Sequence, residues 1–250
     1  MGEKLKAPPL VEALCEFRFG AGTPWDWTVP GRLYERIKDD FPERSEVGSH
    51  SFGLVVAAPG QPIPVSPPAG VPERVQLKRK DGSALVQVAP YRLVINHLRP
   101  YKSWESFREL IFGIFDQYRE IVYTVEVDQV GLRYINQIPM VPPYEEYIDT
   151  VTVRPNFTSP LAQPLKSFFQ RYELEYNSPR GVLIHQTGTT EINGRTVIIL
   201  DLDFVSQDTR RLSNMEEIEK FLDAAHDRIG EAFVASIDPP LYERLRSGDI

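Results

Sequence analysis

The order of the predicted elements constrains the fold of this chain more than any single motif does. A strand-like segment, a helix, several strands and a long helix follow one another, and the same order returns in the second half. Identities between the halves are few, so the repeat depends on element order and on polarity pattern. We therefore predict two tandem β-α-β(3–4)-α units, residues 1–124 and residues 125–250, packed as one globular unit.

Alternating polarity defines the first strand of each predicted unit. One face of the segment "VEALCEFRF" is apolar and carries Val11, Ala13, Cys15, Phe17 and Phe19. The other face is charged and carries Glu12, Glu16 and Arg18. In "VGLRYINQI" the alternation separates Val130, Leu132 and Tyr134 from Gln129, Gly131 and Arg133. Arg18 and Arg133 are therefore predicted to be equivalent positions.

Local signals predict several turns and helix ends. Ser103 is expected to cap a long helix that ends near Val122, and Ser213 with Glu216 forms a capping box for the last helix. Asp81-Gly82 predicts a hairpin. Residues 30–41 show helical spacing, residues 159–169 are predicted to hold a short helix, and the proline-rich residues 59–72 predict an extended surface loop.

The predicted fold class is α+β, with both units sharing one curved antiparallel sheet and two long helices on one side. This layout resembles the TATA-box-binding-protein-like and helix-grip folds in element order only, which implies nothing about function. The other sheet face is predicted to be polar and mixed in sign, and it carries Glu16, Arg18, Arg74, Gln76, Lys78, Gln129, Arg133, Gln137, Arg171, Glu173, Glu175, Asp201 and Asp203. Such a face is typical of a solvated surface, a protein-partner surface or a site for a small polar ligand, and matches neither a nucleic-acid saddle nor an apolar ligand grip.

Composition excludes several classes of protein. A formal charge of −7 over 250 residues opposes general nucleic-acid binding, which needs a basic surface. The one cysteine, Cys15, excludes an intramolecular disulfide and is expected to be a core residue. No window approaches the roughly 20 apolar residues of a membrane span, and residues 1–10 contain no apolar leader. We expect a cytoplasmic protein without a membrane partner.

Catalytic motifs are largely missing. The sequence contains no phosphate-binding glycine loop, no G-x-S-x-G and no H-E-x-x-H, and its histidines, His50, His97, His185 and His226, are scattered singly. No cofactor is expected. Asp201 and Asp203 point the same way on a strand, so they could hold Mg²⁺ or divide acid and base roles. The alternative is a solvent-facing strand end with Arg18, Arg133 or Arg171 as counter-ions.

Three segments together resemble a sporadically distributed, uncharacterised bacterial protein family of about this length. They are "APPLVEALCEFRF", "VGLRYINQI" and "AAHDRIGEAFVASIDPPLYERL". The residues of this sequence that match the family's motif positions are Glu12, Glu16, Arg18, Gly131, Arg133, Asn136 and His226. The resemblance implies no activity, although patchy occurrence is typical of mobile or defence-associated genes.

These observations favour a non-enzymatic binding module for a protein partner or a small polar ligand. Arg18 and Arg133 would anchor the ligand because guanidinium groups suit carboxylate or phosphate partners, with Glu16 and Asn136 beside them. One alternative is a metal-dependent hydrolase or nuclease that uses Asp201 and Asp203. A third hypothesis is an RNA-binding protein that uses Arg74, Lys78, Lys80 and Arg92. A half-exposed sheet and apolar segments such as "PPLYERL" would also suit a homodimer.

Overall fold

The computed structural model describes residues 5–48, 73–141, 144, 146–155, 165–207 and 214–250. The proline-rich loop 59–72, His50 and Ser213 of the predicted capping box lie outside the described residues. So does most of the helix predicted over 159–169. Its remaining residues are irregular up to Phe169, where a strand begins, so in this part the helix prediction is wrong.

Nine strands and four α-helices are found in the described part of the chain. In chain order they are β1 (Leu10–Phe19), α1 (Val29–Ile37), β2 (Glu43–Val47), β3 (Arg74–Lys78), β4 (Ala84–Ala89), β5 (Arg92–Leu98), α2 (Trp104–Val122), β6 (Val127–Ile138), β7 (Phe169–Asn177), β8 (Arg180–Ile192), β9 (Arg195–Ser206), α3 (Met215–Ser236) and α4 (Pro239–Ser247). A short 3₁₀ helix covers Tyr147–Thr150. The α+β class is confirmed.

The nine strands form one antiparallel sheet in the order β2-β3-β4-β5-β1-β6-β9-β8-β7. The pairs β3–β4, β4–β5, β7–β8 and β8–β9 are hairpins, and β1 lies between β5 and β6. The β8–β9 turn carries positive φ at both Asn193 and Gly194, 51° and 72°, which suits the twist of a two-residue hairpin. The turn at Asp81-Gly82 is confirmed, because Gly82 has a φ of 71° and the Asp81 carboxylate accepts hydrogen bonds from the Ser83 backbone and hydroxyl.

The chain divides into two compact units whose boundary falls within β1 and β6. We call Ala13–Gly131 with Asp208–Ile218 the N-unit, and Met1–Glu12, Leu132–Gln207 and Glu219–Ile250 the C-unit. The predicted division at residue 124 into duplicated repeats remains a prediction.

The N-unit core lies between α2 and the apolar face of its strands. Phe17 of β1 stacks on Phe115 of α2 with ring centroids 4.2 Å apart, and Phe19 stacks on Tyr118 at 4.9 Å. Ser103 accepts a hydrogen bond from the Ser106 backbone at the start of α2, which confirms the predicted cap. Burial of these large rings stabilises this unit.

The C-unit core lies between α3 and strands β8 and β9. Phe204 of β9 packs on Phe221 of α3 with centroids 5.9 Å apart. The first residues of α3 belong to the N-unit, and there the Asn214 side chain accepts a hydrogen bond from the Glu217 backbone at 2.9 Å. Asn214 therefore satisfies one of the backbone donors that the first helical turn leaves unpaired.

Strand faces follow the predicted alternation. Ala13, Cys15, Phe17 and Phe19 are buried on β1, while Arg18 is exposed. On β6, Val130 and Leu132 are fully buried.

Besides the short 3₁₀ helix, two elements were not predicted. The strand β2, "ERSEV", is exposed at four of its five residues and shows no apolar alternation. The helix α4 begins at Pro239 and buries only Leu241 and Leu245 fully, so its apolar pattern is short.

Among the described helices, none is both long enough and apolar enough to cross a membrane.

Candidate functional site

A bidentate ion pair joins β6 to β9 in the C-unit. The Arg133 guanidinium donates from Nε to Asp201 Oδ1 at 2.8 Å and from Nη2 to Asp201 Oδ2 at 2.5 Å. Gln186 donates its side-chain amide to the same Oδ2 at 3.3 Å. Because Gln186 lies directly opposite Asp201 in the β8–β9 register, the three side chains form a row across three strands. Arg133 is thus the counter-ion of Asp201.

This row lies among further carboxylates. The hydrogen bonds to Asp201 raise the pKa of Arg133 above its usual range, burial opposes them, and the charges of Asp201, Asp203 and Glu12 raise it further. The Arg133 side chain is 33% exposed and that of Asp201 only 10%. Since Asp201 occupies the Nε–Nη2 edge of the guanidinium, a ligand could not use that edge without displacing it.

The geometry at Asp201 bears on the metal hypothesis. Asp201 and Asp203 lie on one face of β9, as their spacing predicts. Both oxygens of Asp201, however, accept hydrogen bonds from Arg133. Within the described ranges, no group of three or more His, Cys, Asp or Glu side chains is placed to hold a metal ion. The metal-binding role of Asp201 and Asp203 stays a prediction.

A pocket of about 460 Å³ opens in the N-unit where β1 ends. We call it the arginine pocket, and its lining is Arg18, Phe19, Pro90, Tyr91, Arg92, Asp128 and Gln129. It combines two guanidinium groups with apolar and aromatic surface. That combination suits a small molecule with one anionic end and one apolar or planar part.

Glu16 lies between the two arginines of the arginine pocket. Arg18 donates from Nε to Glu16 Oε1, and Nε of Arg92 lies 3.9 Å from Glu16 Oε2, too far for a hydrogen bond. The side chains of Arg18 and Arg92 are about half exposed, 53% and 50%. Among the described residues, neither Arg18 nor Arg92 forms an ion pair other than the one with Glu16. The terminal nitrogens of both guanidinium groups are therefore available to an anion, while Glu16 holds Arg18 in place.

Tyr91 is held in an unusual backbone conformation at the rim of the arginine pocket. The connection between β4 and β5 has only two residues, Pro90 and Tyr91, and Tyr91 has a φ of 56°. Residues with a Cβ seldom adopt this left-handed region, at a cost of about 1 kcal/mol or more. The Tyr91 carbonyl accepts a hydrogen bond from the Phe19 backbone at 2.9 Å, which fixes the turn against β1. Strain of this kind is often found at binding sites.

Asn136 does not join Arg133 on the polar face. It is three residues away along β6, so its side chain points to the opposite face, where it is only 4% exposed. Its amide donates to the Leu200 carbonyl at 3.3 Å. The alternation of side chains along a strand already predicts that residues 133 and 136 lie on opposite faces. Among the predicted site residues, Arg18 and Glu16 are brought together in the N-unit, and Arg133, Asp201 and Asp203 in the C-unit.

An amide ladder that sequence reasoning missed crosses three strands of the N-unit. Gln76 donates to Gln87 at 3.2 Å, and Gln87 donates to Asn96 at 3.0 Å. Asn96 is 1% exposed although it lies on the same face as the half-exposed Gln87. The ladder satisfies these amides within the protein, so it is a structural element.

The basic residues of the RNA hypothesis occupy three places in the N-unit. Arg74 and Lys78 lie on β3, Lys80 lies in the turn that follows, and Arg92 belongs to the arginine pocket.

Potential nucleophiles in the core are not activated. The Ser236 hydroxyl donates to the Ala232 carbonyl at 2.6 Å, so the 2.8 Å contact between Ser236 and His185 Nε2 is a donation from the histidine. His185 therefore does not act as a base toward Ser236. Burial raises the pKa of the Cys15 thiol well above its usual value, which keeps this thiol protonated.

The comparisons with known proteins give little to set beside this geometry. The sequence matches no protein-family model and no curated protein. Among solved structures, a chain described as Methanococcus jannaschii TBP is 8% identical, with a TM-score of 0.28, and the match covers 89% of this chain and 97% of that chain. A likeness at this TM-score supports no conclusion about fold or function.

Proposed function

We propose that this protein is a non-enzymatic binding module that takes a small polar anion, a carboxylate or a phosphate, in the arginine pocket. The observation that carries the proposal is the pair of half-exposed guanidinium groups, Arg18 and Arg92, lining one concave site of about 460 Å³. Guanidinium groups with unused donors are the side chains best suited to bind such anions.

The supporting groups fit this role. Glu16 holds Arg18 through Nε, and Arg18 lines the pocket, so its terminal nitrogens would be the donors to a ligand. Tyr91 and Pro90, which are exposed, supply a surface for the apolar or planar part of the ligand. Asp128 adds one negative charge to the lining, which would favour a ligand that also carries a hydrogen-bond donor.

We also propose that the two units descend from one duplicated β-α-β(3–4)-α element, as the sequence predicts. Strand order supports this proposal: in one unit β1 is followed across the sheet by β5, β4 and β3, and in the other β6 is followed by β9, β8 and β7. In each unit a long helix follows the strand that lies beside the first strand: α2 follows β5, and α3 follows β9. A TATA-box-binding-protein-like or helix-grip arrangement stays a hypothesis, as does the resemblance to the bacterial family.

Calorimetric titration tests the binding proposal directly. The probes are inorganic phosphate and the dicarboxylate succinate, titrated into the wild-type protein and into the Arg18→Ala and Arg92→Ala variants. One hydrogen bond to a charged group is worth about 1.5–3 kcal/mol, so each variant should raise the Kd of at least one probe by about tenfold or more.

Arg171→Ala is a matched control for Arg18→Ala. Arg171 also lies on a strand and pairs with a glutamate two residues away, Glu173, but it does not line the pocket. This variant should leave the Kd unchanged. Arg133→Ala should lower stability without changing the Kd. Absence of binding of both probes to the wild-type protein would refute the proposal, as would an equal loss of affinity in Arg171→Ala.

The two other hypotheses remain predictions with their own tests. A titration with Mg²⁺ and Mn²⁺ that shows no heat would dispose of the hydrolase based on Asp201 and Asp203. RNA binding through the basic residues of the N-unit would show a steep salt dependence of affinity.

A further inference from the structure

The strand β7 lies at one end of the strand order and has an open edge. It has nine residues, Phe169–Asn177, and among the described strands only β8 pairs with it. A strand in this position leaves every second backbone N–H and C=O unpaired on its outer side. Such an edge accepts another strand unless the sequence prevents it.

The charged side chains of β7, Arg171, Glu173 and Glu175, leave exposed apolar side chains between them along this edge. Tyr172 and Leu174 share one face and are 43% and 46% exposed, and Phe169 on the other face is 38% exposed. Proteins usually protect edges with short, charged strands, as β2 does with five mostly charged residues. Tyr172 and Leu174 are therefore apolar surface that stays exposed in the described protein.

The charges of β7 complement those of the same strand running in the opposite direction. We propose that β7 pairs antiparallel with β7 of a second copy of this chain, with Tyr172 at the centre. In this register Arg171 lies opposite Glu173 of the second copy, and Glu173 lies opposite Arg171 of the second copy. Opposite charges at such positions stabilise a strand pair. The two Tyr172 rings would face each other, with Leu174 close by.

The neighbouring register is less favourable. Pairing centred on Glu173 would also place Arg171 opposite Glu175 of the second copy, but it would bring the two Glu173 carboxylates directly opposite each other, and like charges at this position destabilise a strand pair. Within one chain Arg171 already donates to Glu173 at 2.6 Å, so the guanidinium is held at the face where the second copy would meet it.

A charge-swap series measured by sedimentation velocity tests the pairing in the full chain. The wild-type protein should dimerise within concentrations up to about 100 µM. Arg171→Glu and Glu173→Arg each place like charges opposite one another, so each should raise the dimer dissociation constant about tenfold or more. The double variant, with both charges exchanged, should return it to near the wild-type value.

Disulfide trapping tests the register independently of the charges. Tyr172→Cys places two cysteines opposite each other, and mild oxidation should link the copies. The matched control is Glu175→Cys, whose two copies would be displaced by six residues, roughly 20 Å, and should not link. The native Cys15 is fully buried and does not compete.

Several outcomes would overturn the proposal. They are a wild-type protein that stays monomeric, single charge variants that dimerise as the wild type does, or equal linking through Glu175→Cys and Tyr172→Cys. Pairing of β7 with a strand of another protein would appear as a monomer in the purified protein and thus also counts against a second copy. The substituted side chains are exposed, and a thermal unfolding curve for each variant checks that the fold is retained.

Discussion

The Asp201→Asn substitution removes one negative charge from the row on β6, β8 and β9 while keeping the size of the side chain. Asp201 is 7% exposed and accepts three hydrogen bonds, two from Arg133 and one from Gln186. An asparagine keeps one acceptor for Arg133 but presents an NH₂ group to the other nitrogen. The guanidinium then keeps its charge with a neutral and partly mismatched partner.

The expected loss of stability can be bounded from the exposure of the pair. Breaking a fully buried ion pair costs about 3–5 kcal/mol, and an exposed pair contributes at most about 1 kcal/mol. Arg133 is one-third exposed and Asp201 one-tenth, so water can partly replace the lost partner. We expect Asp201→Asn to lower the free energy of unfolding by about 2–3 kcal/mol.

Urea unfolding of a double-mutant cycle gives the measurement. The cycle uses Arg133→Met, Asp201→Asn and the double variant, and the expected coupling energy is about 1–2 kcal/mol. The ion pair between Arg228 and Glu231, in which Nη1 of the arginine donates to both carboxylate oxygens at 2.9 and 2.8 Å, is a control on an exposed helix surface and should show a much smaller coupling. A coupling below about 0.5 kcal/mol for Arg133 and Asp201 would refute the claim that this pair stabilises the C-unit.

Three further predictions concern the cores. Tyr118 is fully buried, and its hydroxyl has no hydrogen-bond partner among the described residues. Tyr118→Phe should therefore raise the free energy of unfolding by about 1 kcal/mol. A lower free energy of unfolding in urea would show that the hydroxyl has a partner. A Cβ on Gly181 would lie 2.5 Å from a ring carbon of Phe204 on β9, so Gly181→Ala should lower the Tm and cost about 1–3 kcal/mol of stability. A Cβ on Gly113 of α2 would have no neighbour within 4 Å, so the control Gly113→Ala should raise the Tm. Burial lowers the pKa of His97 and His185, so the folded state binds fewer protons than the unfolded state just below pH 6.5. Stability should therefore fall as the pH drops from about 7 to about 5. The decrease is at most about 1.4 kcal/mol per pH unit for each histidine. Urea unfolding at several pH values that showed no such decrease in the wild type, or the same decrease after both histidines are replaced by glutamine, would contradict the third prediction.

The elements that the sequence predicts best are those with one buried face. Phe17 and Phe19 alternate with polar residues on β1, and α2 has both a capping serine and an apolar stripe, so local patterns were sufficient. The strand β2 is exposed on both faces and therefore has no pattern to read. The helix α4 begins with Pro239 and Pro240, which were not predicted to start a helix although proline suits a first helical turn.

The candidate sites were predictable in part. A counter-ion for Asp201 was expected, but only the strand order selects Arg133, because residues from three strands must be adjacent for the row to form. Asn136 was grouped with Arg133 on the resemblance alone, although the strand period separates them. The arginine pocket combines segments around Arg18, Tyr91 and Asp128, which are far apart in sequence, so no local pattern indicates it.

The left-handed conformation of Tyr91 sets two selective pressures against each other. Glycine or asparagine would relax this turn, so selection for heat resistance alone should replace the tyrosine. The same replacement would strip the pocket rim of its ring. A library randomised at position 91 should therefore contain two kinds of variant. One kind binds the anion tightly and has a low Tm, and the other has a high Tm and binds the anion weakly.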